Sequence, residues 1–105
     1  MKFLCSSELI PSGSQKSFYG KAKVETWIKD NKNIFILKSY CTNILVIYKD
    51  KLYRASDTYE GDFSSTTLKH CRSFINQYII SDVCHKKEFL ALDTINVNDL
   101  LLGRI

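Results

Sequence analysis

Residues 18–55 form short apolar segments separated by turns of only a few residues, and this spacing constrains the fold more than any other feature. From Phe18 to Lys29 apolar and polar residues alternate, which is typical of a strand with one buried and one wet face. Three more segments are rich in β-branched and aromatic residues, at 34–40, 44–48 and 52–55. Connections this short favour antiparallel neighbours, because parallel pairs need long crossovers. We therefore predict an antiparallel β-meander of about four strands over residues 17–56.

A helical pattern follows over residues 64–80. Ser64 or Ser65 can cap its N-terminus through the hydroxyl group. Apolar residues recur at helical spacing and form one stripe, which consists of Leu68, Cys71, Phe74, Ile75, Tyr78 and Ile79. The opposite arc is polar and includes Lys69, His70 and Arg72. This pattern predicts one main amphipathic helix.

Together these elements predict a single α+β domain over residues 1–105. The main helix is expected to pack on one face of the meander, with its apolar stripe buried against Val24, Ile36 and Val46. Residues 82–105 predict a short C-terminal helical segment. Residues 1–16 contain the only proline and several serines, so they are interpreted as a leader or loop.

Cysteine spacing and hydropathy bear on the compartment. The four cysteines (Cys5, Cys41, Cys71 and Cys84) form no C-x-x-C pair. Disulfide frameworks need an oxidising compartment, so buried free thiols are the preferred interpretation. The apolar stretch at the N-terminus covers only three residues, too few for a signal-peptide core, and no apolar run is long enough for a membrane span. We expect a cytoplasmic protein that does not contact a membrane.

No residue pattern indicates catalysis or a cofactor. The chain has two histidines, and neither lies in a hydrolase, nuclease or phosphate-loop motif. The adjacent pairs His70-Cys71 and Cys84-His85 raise the possibility of zinc, but neighbouring helical residues point about 100° apart. A buried thiol beside a boundary histidine is the preferred interpretation. We therefore predict no enzyme, no metal and no cofactor.

The charge is uneven along the chain. Residues 1–56 hold ten Lys or Arg against four Asp or Glu, whereas residues 57–105 hold five against seven. On one parity of the first strand lie Tyr19, Lys21, Lys23, Trp27 and Lys29. Interleaved aromatics and lysines suit single-stranded nucleic acid, which needs stacking platforms and backbone charge. The preferred alternative is that Trp27 and Tyr19 pack against a second helix while the lysines solvate an edge strand.

Three short segments carry a further signal: Ser17-Phe18-Tyr19-Gly20-Lys21-Ala22-Lys23-Val24, then Ser39-Tyr40-Cys41-Thr42, then Phe63-Ser64-Ser65-Thr66-Thr67-Leu68-Lys69-His70 with Phe74. They resemble an uncharacterised small domain of bacteriophages and mobile elements of low-GC Gram-positive bacteria. That pattern has a Gly-Lys-Ala strand opening, a Ser-Tyr-x-Thr strand and a Thr-Thr-x-Arg-His helix start. Phe63, Lys69 and Ser73 depart from its usual tyrosine, arginine and acid. The resemblance implies a phage-type accessory protein in a bacterial cytoplasm, with no enzymatic activity to transfer.

We therefore expect the chain to bind and inhibit or modulate a host protein. An inhibitor of a defence nuclease complex, of the anti-CRISPR kind, is the concrete form of this hypothesis. A small rigid domain can occlude a surface through aromatic anchors and charge, without catalysis. The alternative is a nucleic-acid-binding module that uses the basic sheet face. The candidate partner-binding residues are Tyr19, Lys21, Lys23, Trp27, Lys29, Lys69 and Arg72.

Overall fold

The computed structural model describes residues 2–11, 18 and 20–105. In chain order its elements are β1 (Lys2–Glu8), β2 (Ala22–Lys29), β3 (Lys32–Ser39), β4 (Thr42–Tyr48), β5 (Lys51–Ala55), a 3-10 turn (Glu60–Asp62), α1 (Ser65–Tyr78), α2 (Lys86–Leu90), β6 (Thr94–Ile95) and α3 (Val97–Leu101). The strands form one sheet in sequence order, antiparallel from β1 to β5 and parallel between β5 and β6. The predicted α+β class is confirmed. The described ranges hold a six-stranded mixed sheet and three helices, where about four strands were expected.

The two additional strands lie at the two edges of the sheet. β1 falls within residues 1–16, which the sequence predicted to be a leader or loop, and residues 12–17 lie outside the described residues. All of β1 is exposed, so no alternation of buried and wet positions reveals it in the sequence. β6 has only two residues and divides the predicted C-terminal helical segment into α2 and α3.

Two-residue turns join the strands from β2 to β5. Both central residues of each turn have positive φ, at Asp30-Asn31, Tyr40-Cys41 and Lys49-Asp50. This is the signature of a type I′ turn, whose twist matches that of the flanking strands. The first and third turns were predicted from their polar residues. The connection after β3 was predicted one residue too late, because the predicted strand included Tyr40, whereas β3 ends at Ser39.

α1 packs on one face of the sheet and begins where the sequence predicted. The Ser64 hydroxyl accepts the backbone N–H of Thr67 at 3.2 Å and so caps the helix. The stripe residues that are fully buried are Cys71, Phe74 and Ile75, and they share a core with Val24, Leu37, Leu45 and Leu52. Leu68 and Tyr78 are half-buried at its margin. The predicted apolar stripe is therefore the surface that α1 presents to the sheet.

A second core covers part of the opposite sheet face. It contains Ile34, Ile36, Val46 and Tyr48 from the sheet and Ile95, Val97 and Leu100 from the C-terminal segment. The expectation that Ile36 and Val46 pack against α1 is wrong, although both are buried. Ile36 lies opposite Glu25 and Val46 in the ladder, so strand parity places it on the other face from Val24.

The arc of α1 that was predicted to be polar is partly buried. Thr67, His70 and Ser73 are buried. Leu9 and Phe18, from the segment before β2, are buried in the same core as α1, and Gln77 donates to the carbonyl of Ile10. The segment before β2 thus contacts a helix face that was expected to meet water, which is why His70 is enclosed.

The cysteines are all free thiols, but they are not all buried as expected. Cys71 is buried, Cys84 is half-buried, and Cys5 and Cys41 are exposed. Cys5 lies on the exposed strand β1 and Cys41 in a two-residue turn, which explains their accessibility. Burial raises the pKa of the Cys71 thiol to about 12, so this thiol stays protonated and unreactive at neutral pH.

Candidate binding groove

A groove opens on the sheet face opposite α1, near the turn between β3 and β4. It encloses about 510 Å³ and is lined by Ser6, Gly20, Lys21, Lys23, Glu25, Lys38, Tyr40 and Cys41. The strand ladder brings these residues together, because Ser6 lies opposite Glu25 and Lys23 lies opposite Lys38. We call this set of eight residues the basic groove.

Two lysines face each other across the basic groove. Lys23 and Lys38 are directly opposite on β2 and β3, an arrangement that destabilises an antiparallel pair. The Glu25 carboxylate lies 3.1 Å from the Lys38 ammonium and offsets part of this repulsion. In the described ranges Lys23 has no ion-pair partner, and the Lys21 ammonium lies 5.8 Å from the centroid of the Tyr40 ring. Lys21 and Lys23 are therefore available to an anionic ligand.

The rim of the basic groove is fixed by Gly20 and Glu8. The Glu8 carboxylate accepts the backbone N–H of Gly20 at 2.7 Å, which ties the segment before β2 to β1. Gly20 has φ of 74°, a conformation that glycine adopts without steric penalty. Lys21 follows directly, so this contact sets the position of the first groove lysine.

Tyr40 and Cys41 form the end wall of the groove in an unfavourable backbone conformation. Their φ angles are 51° and 70°. Type I′ turns prefer asparagine, aspartate or glycine, and other residues incur roughly 1–2 kcal/mol each for left-handed backbone. Tyr40 nevertheless leaves 49% of its surface exposed. A large aromatic side chain is thus held out to solvent at an energetic cost, which points to a binding role.

His70 supports Tyr40 from the side of α1. Its imidazole packs edge-on against Phe18, with 4.5 Å between ring centroids, and lies 5.8 Å from the Tyr40 ring centroid. Its Nδ1 is 2.8 Å from the Ser39 hydroxyl, which is 3.0 Å from the Thr67 hydroxyl. Burial lowers the pKa of His70, so the imidazole is neutral at pH 7. This network joins α1 to the end of β3 and to the turn that carries Tyr40.

The candidate binding residues predicted on the first strand do not all lie in the basic groove. Lys21 and Lys23 lie in the basic groove. Trp27, expected as a stacking platform, is half-buried beside the second core, and its ring meets Phe3 edge-on at 5.1 Å. Its indole N–H donates to Glu25 at 3.2 Å. Trp27 is therefore a packing residue of the second core and does not line the groove.

The other predicted residues lie elsewhere. Lys29, at the far end of β2, donates to the carbonyl of Ile105 and lies 5.8 Å from the Tyr48 ring centroid. Lys69 and Arg72 belong to α1, on the other side of the sheet, and the Arg72 guanidinium donates to the carbonyl of Cys84 at 2.7 Å. Tyr19 lies outside the described residues. Of the seven candidates, the structure brings Lys21 and Lys23 together.

Sequence reasoning missed Lys38, Tyr40 and Cys41. The signal for Lys38 was present: a two-residue turn at Asp30-Asn31 fixes the hairpin register and puts position 38 opposite position 23. No comparable signal marked Tyr40 and Cys41, because neither residue type is typical of a turn.

The basic groove is a concave surface with an excess of positive charge. Three ammonium groups, one carboxylate and one exposed phenol ring converge there, and side chains of this kind attract negative charge and fix its orientation. The fold and groove thus define a small α+β domain with a concave basic surface. The chain belongs to DUF8033, a family of unknown function, which matches residues 7–91.

Neither a curated protein nor a solved structure matches the chain. In the described part of the chain, every helix is too short or too polar to span a membrane.

Proposed function

We propose that this chain is a binding protein that attaches to an acidic surface of a host protein through the basic groove. The observation that carries the proposal is the placement of Lys21, Lys23 and Lys38 around the exposed ring of Tyr40 in one concavity. Tyrosine is enriched among the residues that dominate binding energy, and surrounding charge steers a complementary partner into register. An acidic segment of another protein would complement the charge of this groove.

A protein partner is favoured over nucleic acid by the position of Trp27. This side chain, the stacking platform that a nucleic-acid interface needs, is engaged with Phe3 and the second core. Nucleic acid remains the second candidate because Tyr40 is exposed beside Lys21, an aromatic ring next to a cation.

The more specific form of the proposal concerns origin and target. The resemblance to a small phage and mobile-element domain supports an accessory protein that acts in a bacterial host. In this form, the basic groove masks an acidic docking surface of a defence nuclease complex, and binding alone is sufficient for inhibition. No chemical step is required of the chain.

A charge-reversal pair tests the proposal. The variant Lys21→Glu with Lys23→Glu should lose capture of the partner from a lysate of a low-GC Gram-positive bacterium, because both changes place negative charge in the groove. The control is Lys32→Glu with Lys87→Glu, which alters net charge equally at two exposed positions outside the groove. The control should capture the same protein as the unmodified chain, with or without nuclease treatment.

Two results would contradict the proposal. One is equal loss of capture in the control pair, which would make the interaction a matter of net charge. The other is tight binding of a bare oligonucleotide near physiological salt that the groove variant abolishes, with protein capture lost after nuclease treatment. That second result would establish the nucleic-acid alternative instead.

A further inference from the structure

Cys84, His85 and Glu88 bring three kinds of metal-ligating atom together, away from the basic groove. The Cys84 sulfur, an imidazole nitrogen of His85 and a carboxylate oxygen of Glu88 all lie within 4.8 Å of one another. Within residues 2–11, 18 and 20–105, it is the one such group of three. The adjacent pair Cys84-His85 is visible in the sequence, whereas the contribution of Glu88 depends on the helical turn that brings it back to this pair.

The spacing of these atoms is close to that of a tetrahedral zinc site. Zn–S bonds of about 2.3 Å and Zn–O bonds of about 2.0–2.2 Å place sulfur and oxygen roughly 3.6 Å apart around one ion. The Cys84 sulfur and the Glu88 Oε1 are 3.9 Å apart. The other ligand atoms lie up to 4.8 Å apart, so the exposed His85 side chain, which takes part in the capping box of α2, must shift to reach tetrahedral spacing.

The backbone around the three side chains is fixed by other contacts. Glu88 Oε1 accepts the backbone N–H groups of Cys84 and His85, at 3.3 and 3.1 Å. These contacts hold the carboxylate in place beside the Cys84 sulfur, and hydrogen-bonded carboxylates are common metal ligands because their orientation is set. The Arg72 guanidinium donates to the carbonyl of Cys84 at 2.7 Å, and buried Phe89 anchors the following helix. The site is therefore largely formed before any ion arrives.

Charge and ligand type indicate which ion the site takes. A thiolate and a carboxylate together neutralise a divalent cation, and imidazole completes a sulfur, nitrogen and oxygen set that suits zinc rather than calcium or magnesium. Arg72 and Lys86 are positive neighbours, but Arg72 is bonded to the Cys84 carbonyl and the Lys86 ammonium lies 3.9 Å from Glu60. Both cations are thus engaged by other groups, which reduces their repulsion of a bound cation.

We propose that Cys84, His85 and Glu88 form a zinc site with three protein ligands. The fourth coordination position is left to water or to a group from a binding partner. The ion would add a further link between α2 and the end of the irregular segment that follows α1, beside the Arg72 and Glu88 contacts.

Titration of the full chain with zinc chloride tests the site, with a chromogenic chelator as competitor. One zinc per chain is expected with micromolar affinity, and cobalt in its place should show a thiolate-to-cobalt charge-transfer absorption. Cys84→Ser should abolish that absorption and weaken zinc binding at least tenfold. Glu88→Gln should weaken it similarly while the fold is retained, because glutamine keeps the capping acceptor.

Matched controls are available among the other cysteines. Cys5→Ser and Cys41→Ser remove exposed thiols far along the sequence, and both should leave the zinc affinity unchanged. The proposal is overturned if the unmodified chain takes up less than one zinc at micromolar free metal. It is equally overturned if Cys84→Ser binds as tightly as the unmodified chain, or if Cys41→Ser removes the absorption.

Discussion

The sheet face opposite α1 has two halves built from the same strands but with opposite properties. One half holds Ile36, Val46 and Tyr48 and is covered by the C-terminal segment. The other half is the basic groove, where Lys23 and Lys38 occupy equivalent positions on β2 and β3. The C-terminal segment packs on the part of this face that carries apolar side chains. Each strand changes from apolar residues to lysine along its length, and the part with lysines is left uncovered.

The two halves also differ in what they contribute to stability. In the covered half, apolar area is removed from water, and each fully buried aliphatic side chain contributes about 1.5–3 kcal/mol. The open half contains a pair of like charges and a turn in left-handed backbone, and both features are destabilising. Local departures from good folding rules are expected at functional sites, and this contrast is consistent with the function that we propose for the groove.

The largest effect we expect comes from the covered half. Ile36→Ala should lower the free energy of unfolding by about 2–5 kcal/mol, because Ile36 is fully buried and its removal leaves a cavity. The change is measured by urea unfolding monitored by circular dichroism. Lys23→Ala is the matched variant from the open half, and it should change stability by no more than about 0.5 kcal/mol. Equal losses in the two variants would remove the distinction between the halves.

An intermediate effect is expected from the turn that closes the open half. Replacing Tyr40 with Asn and Cys41 with Gly creates Asn-Gly, the preferred type I′ sequence, and should stabilise the fold by about 1–2 kcal/mol. The same change removes the exposed ring and should weaken partner binding. Thermal unfolding and partner capture would therefore move in opposite directions, as expected where stability is given up for function.

The single variant Cys41→Gly separates the effect of backbone strain from the effect of the Tyr40 ring. Cys41→Gly relieves strain at one position and keeps Tyr40, so a smaller gain in stability is expected with partner capture unchanged. If Cys41→Gly weakens capture as much as the double change, the ring is not the anchor. If the double change lowers the melting temperature, the argument from backbone strain fails.

Much of the fold followed from periodicity alone. The meander from β2 to β5, the turn at Asp30-Asn31 and the Ser64 cap were all predicted, because local patterns determine them. β1 was not predictable in this way, since its stability comes from pairing with β2 and not from a buried face. The surroundings of His70 depend on residues more than fifty positions earlier in the chain, which a helical wheel does not include.

Less of the binding site followed from the sequence. Lys21 and Lys23 were found because they share one strand parity, and Trp27 was grouped with them for the same reason. Parity assigns a face but not a position along it, so it did not show that Trp27 belongs to the covered half. Lys38 required the hairpin register, and Tyr40 required a turn that its residue type argues against.

The smallest effect we expect is a pH dependence that originates at His70, between α1 and the turn of the open half. Burial lowers its pKa below the ordinary 6.5, so the unfolded chain binds a proton first as the pH falls. The free energy of unfolding should be fully present above pH 6.5 and should decrease below it, through the interval down to the pKa of the folded state. Asp93, whose pKa is lowered by its hydrogen bond to Lys51, titrates in a separate and more acidic interval.

Urea unfolding at a series of pH values between about 7.5 and 5 measures this term. The groups around His70 are the hydroxyls of Ser39 and Thr67 and the rings of Phe18 and Tyr40, none of which titrates in that interval. His70→Gln should therefore flatten the pH profile of stability, whatever its effect on stability at pH 7.5. A slope that persists in His70→Gln would assign the dependence to another group and would show that the imidazole is not buried as neutral. A slope that disappears would assign the dependence to His70, and would show that the turn carrying Tyr40 packs against a histidine that is uncharged in the folded chain.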